Sequence, residues 1–104
     1  MFPNINRISH SLFEQFFRTG TRHHSTHFEI RYTPSPTLHV SVVVPKKVIK
    51  SSADRNRVRR QVYHVLKPLL QDTTGVYMVF IKKNFPSNLS QPLKDELETL
   101  VGGI

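Results

Sequence analysis

The 104-residue sequence contains no cysteine. The chain therefore has no disulfide framework, no thiolate nucleophile and no cysteine-based zinc site, which argues against redox chemistry. Apolar runs are also short, and none approaches the roughly 18 residues of a membrane-spanning helix. The segment from Met1 to Asn6 lacks the basic-then-apolar order of a signal peptide. These absences predict a cytoplasmic protein without a membrane partner.

Acidic side chains are few as well. Seven Asp and Glu residues stand against 15 Lys and Arg residues, which gives a formal net charge of +8 and a pI near 10.3. A charge balance of this kind is typical of nucleic-acid-binding proteins, although anionic membrane surfaces attract it too. A chain of this length predicts one domain over residues 1–104.

The stretch from Val44 to Leu70 carries eight of the 15 basic residues. A helix is predicted to begin just before Arg55, because Ser51 followed by Asp54 is a capping-box start with a negative charge in the first turn. At about 100° per residue, one side of this helix is apolar and carries Val58, Val62, Val65, Leu66 and Leu69. The far side carries Arg57, Arg60, His64 and Lys67. Such a row suits a polyphosphate partner, whereas the alternative is a solvated charged face.

Three strands are predicted from their apolar patterns, and the segment from Thr21 to Thr26 is predicted to be a loop or a short edge strand. Phe28–Tyr32 and Leu38–Val44 alternate with period two and are separated by proline-rich turn residues, which predicts an antiparallel hairpin. Pro45 ends the second strand because it cannot donate to the ladder. Val76–Ile81 is almost entirely apolar, as expected of an internal strand.

Two further helices are predicted at the ends of the chain. The N-terminal one, from Ile8 to Arg18, has a surplus aromatic stripe of Phe13 and Phe17, on which unpaired bases could stack or which a broad core could cover. The C-terminal one bears Leu93, Leu97, Leu100 and Val101. It also bears three acids, Asp95, Glu96 and Glu98, which we expect to face away from an anionic partner.

Three histidines lie close together in sequence at His23, His24 and His27. They raise the possibility of a metal site, but their spacing fixes no geometry and no carboxylate lies beside them. Solvated or phosphate-facing histidines are the alternative. The sequence has neither a plausible nucleophile constellation nor the clustered carboxylates that hold two metal ions.

One combination of features is specific: Lys46 and Lys47, a short linker, the run from Arg55 to Arg60 and a downstream apolar strand. This combination resembles the protein component of bacterial ribonuclease P. The residues upstream also look like that family: Arg7, Ile8, Phe13, Phe17, Gly20 and Phe28. The chain departs from the family at Pro45, where a serine is common. It departs also in the linker from Val48 to Asp54, which is one residue longer than expected and lacks the usual glycine.

The resemblance implies an α+β fold, a small two-layer sandwich in the order αβββαβα with a left-handed βαβ crossover, against the usual preference. It implies that the second helix contacts the catalytic RNA of ribonuclease P, and that a cleft between the first helix and the sheet receives the 5′ leader of precursor tRNA. The implied RNA contacts are Lys46, Lys47, Lys50, Arg55, Asn56, Arg57, Arg59 and Arg60. The implied cleft residues are Phe13, Phe17, Arg31 and Tyr32, and a register slip of one residue would exchange the last two.

The resemblance further implies a ribonucleoprotein endonuclease whose hydrolytic chemistry belongs to the RNA. Mg²⁺ would be held mainly by that RNA, with none bound tightly by the protein, no catalytic residue in the protein, and one protein per RNA. Two other functions stay open. One is a general RNA-binding or ribosome-associated module, and the other is an autonomous metal-dependent nuclease built on the three histidines.

Overall fold

The computed structural model describes residue 18, residues 20–84 and residues 90–104. The described part forms a mixed four-stranded sheet with two helices, which confirms the predicted α+β class. Its elements in chain order are β1 (Thr21–His24), β2 (Phe28–Thr33), β3 (Leu38–Val43), α1 (Ser52–Leu70), β4 (Gly75–Ile81) and α2 (Gln91–Gly102). The predicted N-terminal helix lies outside the described residues, apart from its last residue, Arg18.

The strand order is β1-β2-β4-β3, so β4 lies between β2 and β3. The predicted hairpin of β2 and β3 is therefore wrong. β4 pairs antiparallel with β2 and parallel with β3. Four residues join β2 to β3. A connection of that length can span the distance of roughly 10 Å between two strands that have a third strand between them. Pro34 and Pro36 in this connection favour extended backbone over a tight two-residue turn.

The interior position of β4 follows from its composition. Val76, Tyr77, Met78, Val79 and Ile81 are each at most 6% exposed, so the strand is buried on both faces, as its apolar run predicts. β3, α1 and β4 form the predicted βαβ unit between parallel neighbours. The left-handedness of that crossover stays a prediction.

One face of the sheet packs against both helices. Alternate residues of three strands meet apolar side chains of α1 and α2 there; the buried ones include Phe28, Ile30, Val40, Val42, Val79, Val58, Val62, Leu66, Leu93 and Leu97. We call this the helix face and the opposite one the outer face. The register places Arg22, Glu29, Arg31, Met78 and Phe80 on the outer face.

The buried stripe of α1 differs in part from the predicted one. Val58, Val62 and Leu66 are buried as expected, whereas Tyr63 and Leu70 are buried in place of the half-buried Val65 and Leu69. Tyr63 turns inward because its hydroxyl reaches the outer edge of β3. There it accepts from the Val42 backbone N–H (3.3 Å) and donates to the Val40 carbonyl (3.5 Å). These contacts cover backbone groups that an edge strand otherwise leaves exposed.

The C-terminal helix α2 packs on the helix face through Leu93 and Leu97. One of its acids, Glu96, is half-buried and binds the turn between β1 and β2. Its carboxylate accepts from the Ser25 hydroxyl, from the His27 backbone N–H (2.7 Å) and from His27 Nδ1 (2.8 Å). Among the described helices, none is both long and apolar enough to cross a membrane.

Candidate nucleic-acid interface

The first turn of α1 is fixed by the predicted cap. The Ser51 hydroxyl accepts a hydrogen bond from the Asp54 backbone N–H at 3.3 Å, and the helix begins at Ser52. Asp54 lies in the first turn, where a carboxylate stabilises the positive end of the helix dipole. The cap therefore places the basic run on the first three turns of a helix whose start is well defined.

Arg55 supports the fold. Its Nη1 donates to the carbonyl oxygens of Ile49 (3.1 Å) and Lys50 (2.7 Å), and the side chain is half-buried. The linker that precedes α1 has no regular secondary structure of its own, so its carbonyls need such donors. Arg55 therefore holds the linker, and with it the backbone of Lys50, against the start of the helix.

Asn56, Arg57 and Arg59 form short-range contacts on the surface of α1. Arg57 Nη1 lies 2.8 Å from Asp54 Oδ1, and Arg59 Nη1 lies 2.5 Å from Asn56 Oδ1. The Nε of Arg57 is buried and has no hydrogen-bond partner among the residues that the structure describes. Asn56 is exposed, and Arg57 and Arg59 are half-buried. These contacts orient the guanidinium groups while leaving donors for a ligand.

The remaining predicted RNA contacts are exposed. Lys46 and Lys47 lie in the turn after β3, Lys50 lies in the linker, and Arg60 lies at the start of the third turn of α1. Within the described part of the chain, the side chains of these four residues make no hydrogen bond or ion pair. Pro45 shapes the turn, because its carbonyl accepts from the backbone N–H groups of Val48 and Ile49. Exposed cations that have no counterion among the described residues thus lie in the turn, in the linker and on the N-terminal half of α1.

The structure separates two residues that were predicted for one cleft. Tyr32 lies on the helix face, where its ring packs against Tyr77 with centroids 5.0 Å apart. Arg31 lies on the outer face, where its guanidinium carbon is 5.9 Å from the centroid of the Phe80 ring. Because neighbouring strand residues point to opposite faces, the two side chains cannot line the same side of the sheet. Phe13 and Phe17 lie outside the described residues.

A carboxylate on the outer face joins two arginines. Glu29 Oε1 lies 3.0 Å from Arg22 Nε, and Glu29 Oε2 lies 3.0 Å from Arg31 Nε. Burial raises the pKa of Glu29, but the hydrogen bonds and charges of Arg31 and Arg22 outweigh it, so that this pKa lies below its ordinary value. Sequence reasoning missed this group. The period-two pattern puts Glu29 and Arg31 on one face, whereas the register that adds Arg22 depends on tertiary pairing.

The three histidines do not converge. His23 and His24 are consecutive in β1 and point to opposite faces, while His27 binds Glu96. In the residues that the structure describes, no group of three or more His, Cys, Asp or Glu side chains could hold a metal ion. The geometry thus gives no support to the histidine-based nuclease hypothesis.

A mixed sheet with a cation-rich helix packed across one face defines a small α+β protein of the nucleic-acid-binding class. A family model described as ribonuclease P matches residues 2–104. The chain belongs to the ribonuclease P protein family, which assigns it to tRNA processing and RNA binding, with ribonuclease P RNA as the implied partner.

Curated relatives agree with this assignment. The ribonuclease P protein component of Synechococcus sp. (strain JA-2-3B'a(2-13)) is 30% identical over 91 residues, which are 80% of this chain and 68% of that protein. The corresponding protein of Microcystis aeruginosa (strain NIES-843 / IAM M-2473) is 31% identical over 78 residues, which are 67% of this chain and 64% of that protein. The matched region is thus about two thirds of each relative.

Solved structures share the fold. A Staphylococcus aureus RNase P protein mutant with defective mRNA degradation activity superposes with a TM-score of 0.77 at 15% identity, covering 94% of this chain and 86% of the other. The Staphylococcus aureus RNase P protein at 2.0 Å gives 0.69 at 16% identity, covering 95% and 91%. These likenesses confirm the ribonuclease P protein-like α+β architecture at low sequence identity.

Proposed function

We propose that this protein binds the catalytic RNA of ribonuclease P through the start of α1 and holds the 5′ leader of precursor tRNA, assisting endonucleolytic removal of that leader. Family membership supports the assignment to ribonuclease P. The observation that carries the finer proposal is the set of exposed cations in the turn, the linker and the N-terminal half of α1, which have no counterion in the described part of the chain. The protein would act in the cytoplasm as one subunit per RNA.

The cations divide into two roles. Lys46, Lys47, Lys50 and Arg60 supply exposed charge that neutralises phosphates and releases condensed counterions. Arg57 and Arg59 offer planar donor forks whose orientation is set by Asp54 and Asn56. Arg55 contributes indirectly by fixing the linker.

The leader is assigned to the outer face of the sheet. Arg31 lies there beside the Phe80 ring, and Phe13 and Phe17 remain candidates from the family resemblance. A single strand binds best where aromatic rings accept stacked bases and cations follow the backbone. Tyr32 is not included, because it packs on the helix face.

The hydrolytic chemistry is assigned to the RNA subunit. Mg²⁺ held mainly by that RNA would activate the attacking water. Two of the described carboxylates already have partners within the fold, since Glu29 is bound by two arginines, and Glu96 by Ser25 and His27. The protein then contributes affinity and position, and no catalytic residue.

The experiment is precursor-tRNA cleavage at low magnesium by ribonuclease P RNA from the same source, with and without the protein. We expect stimulation by the wild type and a large loss of stimulation with Arg57→Ala combined with Arg60→Ala. Lys94→Ala, on α2, is the control for loss of positive charge and should keep most of the stimulation. RNA alone and protein alone complete the set.

Two outcomes would contradict the proposal. Binding of the RNA without any change in cleavage would favour the general RNA-binding module. Cleavage by the protein alone would favour an autonomous nuclease.

A further inference from the structure

The outer face carries an arginine pair that the proposed RNA contacts do not include. Arg22 on β1 and Arg31 on β2 are directly opposite each other in the register, and each binds a different oxygen of Glu29 at 3.0 Å. Each contact uses Nε of the arginine. One carboxylate therefore orients two guanidinium groups side by side.

The exposures of the three side chains differ in a way that suits ligand binding. The side chain of Glu29 is only 12% exposed, whereas that of Arg22 is 62% exposed. The terminal nitrogens of Arg22 have no hydrogen-bond partner within the described part of the chain. Because Arg22 is largely exposed, its ion pair with Glu29 contributes little to stability, and the main effect of the contact is to fix the orientation of Arg22.

The surrounding charge is positive. Glu29 is the only acidic residue in the four described strands, and it is shared between two arginines. His24 is paired with Glu29 in the register and so lies on the same face. The Phe80 ring is paired with Glu29 from the other side, with Arg31 above it. A net positive donor pair thus lies next to an aromatic surface, the combination that single-stranded nucleic acids bind.

We propose that Arg22 and Arg31, oriented by Glu29, form a clamp for a backbone phosphate of the single-stranded leader, beside a base that contacts Phe80. The clamp rests on the proposed function and adds a phosphate site and a positioning carboxylate to it. Guanidinium forks held in fixed orientation match phosphate oxygens better than flexible ammonium groups do. Glu29 acts through the two arginines and does not touch the RNA.

The test uses the reconstituted holoenzyme and compares the Kd for precursor tRNA with the Kd for mature tRNA, which lacks the leader. Arg22→Ala should weaken precursor-tRNA binding by about ten- to a hundredfold, the loss expected for a hydrogen bond between charged groups, and leave mature-tRNA binding unchanged. Arg22→Lys should recover only part of that loss. Lys94→Ala removes one positive charge from α2, away from both proposed RNA contacts, and should leave the ratio of the two Kd values at the wild-type level.

Glu29→Gln separates orientation from charge. This variant makes the outer face more positive, so a purely electrostatic surface would bind the leader more tightly. The clamp instead predicts weaker binding of precursor tRNA, because the amide replaces one of the two acceptor oxygens with an NH₂ group and one arginine loses its anchor. Urea unfolding of each variant would show whether the fold is retained.

The outcomes separate this inference from the proposed function. If the wild-type holoenzyme does not prefer precursor tRNA over mature tRNA, the assignment of the leader to this protein fails. If the wild type keeps that preference but Arg22→Ala retains it in full, or Glu29→Gln increases it, the clamp alone is overturned.

Discussion

At the scale of single residues, the basic run of α1 is not uniform. The Arg55 guanidinium donates hydrogen bonds to two linker carbonyls. Arg60, five residues later, is exposed and unpaired among the described residues. Two arginines of one motif therefore serve different ends. The first connects the linker to the helix, and the second is available to a ligand.

This difference gives a matched pair of variants. Arg55→Ala should lower the free energy of unfolding by about 1–2 kcal/mol, because two carbonyl acceptors lose a charged donor. Arg60→Ala should leave that free energy within about 0.5 kcal/mol of the wild type, as expected of an exposed side chain without partners. Urea unfolding of both variants measures it. Equal midpoints would show that the Arg55 contacts do not stabilise the linker.

At the scale of elements, each helix is joined to the sheet by a polar contact as well as by its apolar side. Tyr63 of α1 binds the edge of β3, and Glu96 of α2 binds the turn between β1 and β2. The Lys82 ammonium reaches the same turn by donating to the Ser25 carbonyl at 2.9 Å. Lys82 therefore supports the sheet margin, whereas Lys83 makes no such contact within the described chain.

The cap of α1 can be tested on two adjacent serines. Ser51→Ala removes the acceptor for the Asp54 N–H and should cost about 1 kcal/mol of stability. Ser52→Ala, at the first helical position, removes a hydroxyl without a hydrogen bond to the described residues and should cost little. Thermal unfolding of the two variants compares them. A larger loss for Ser52→Ala would show that the cap is misassigned.

At the scale of the whole molecule, two carboxylates connect separate parts of the sheet and its helices. Glu29 joins β1 to β2, and Glu96 joins α2 to the β1–β2 turn. Burial raises the pKa of Glu96, but hydrogen bonds from Ser25 and His27 and the charge of His27 outweigh it, so this pKa is also lowered. Both carboxylates thus bind their partners best when ionised.

The direction of these shifts sets the pH dependence of stability. A carboxyl group whose pKa is lower in the folded state adds stability that is fully present above the ordinary value of 4.5, and that is lost as the pH falls through the folded-state value. The free energy of unfolding should therefore decrease as the pH is lowered below about 4.5. Glu96→Gln should reduce that fall, whereas Glu98→Gln, on the exposed side of α2, should not. Parallel acid profiles for the wild type and Glu96→Gln would contradict the role of Glu96.

The elements themselves could be predicted from local patterns. The capping serine, the helix start, the internal character of β4 and the amphipathic α2 follow from side-chain periodicity and local hydrogen-bonding chemistry, which act within a few residues. The basic run and its resemblance to the family likewise needed only the order of residues, which the family match confirms.

Tertiary structure decided what those elements do together. Strand order depends on which strand gains most from burial on both faces. β4 therefore lies between β2 and β3 in the sheet, although β2 and β3 are consecutive in the chain. The register of β2 with its two neighbours places Arg31 and Tyr32 on opposite faces of the sheet and Arg22 next to Glu29. Sequence by itself determined the elements, the charge and the family, because these depend on neighbours in the chain. The register and the arginine pair depend on contacts between distant residues, and only the folded chain specifies those.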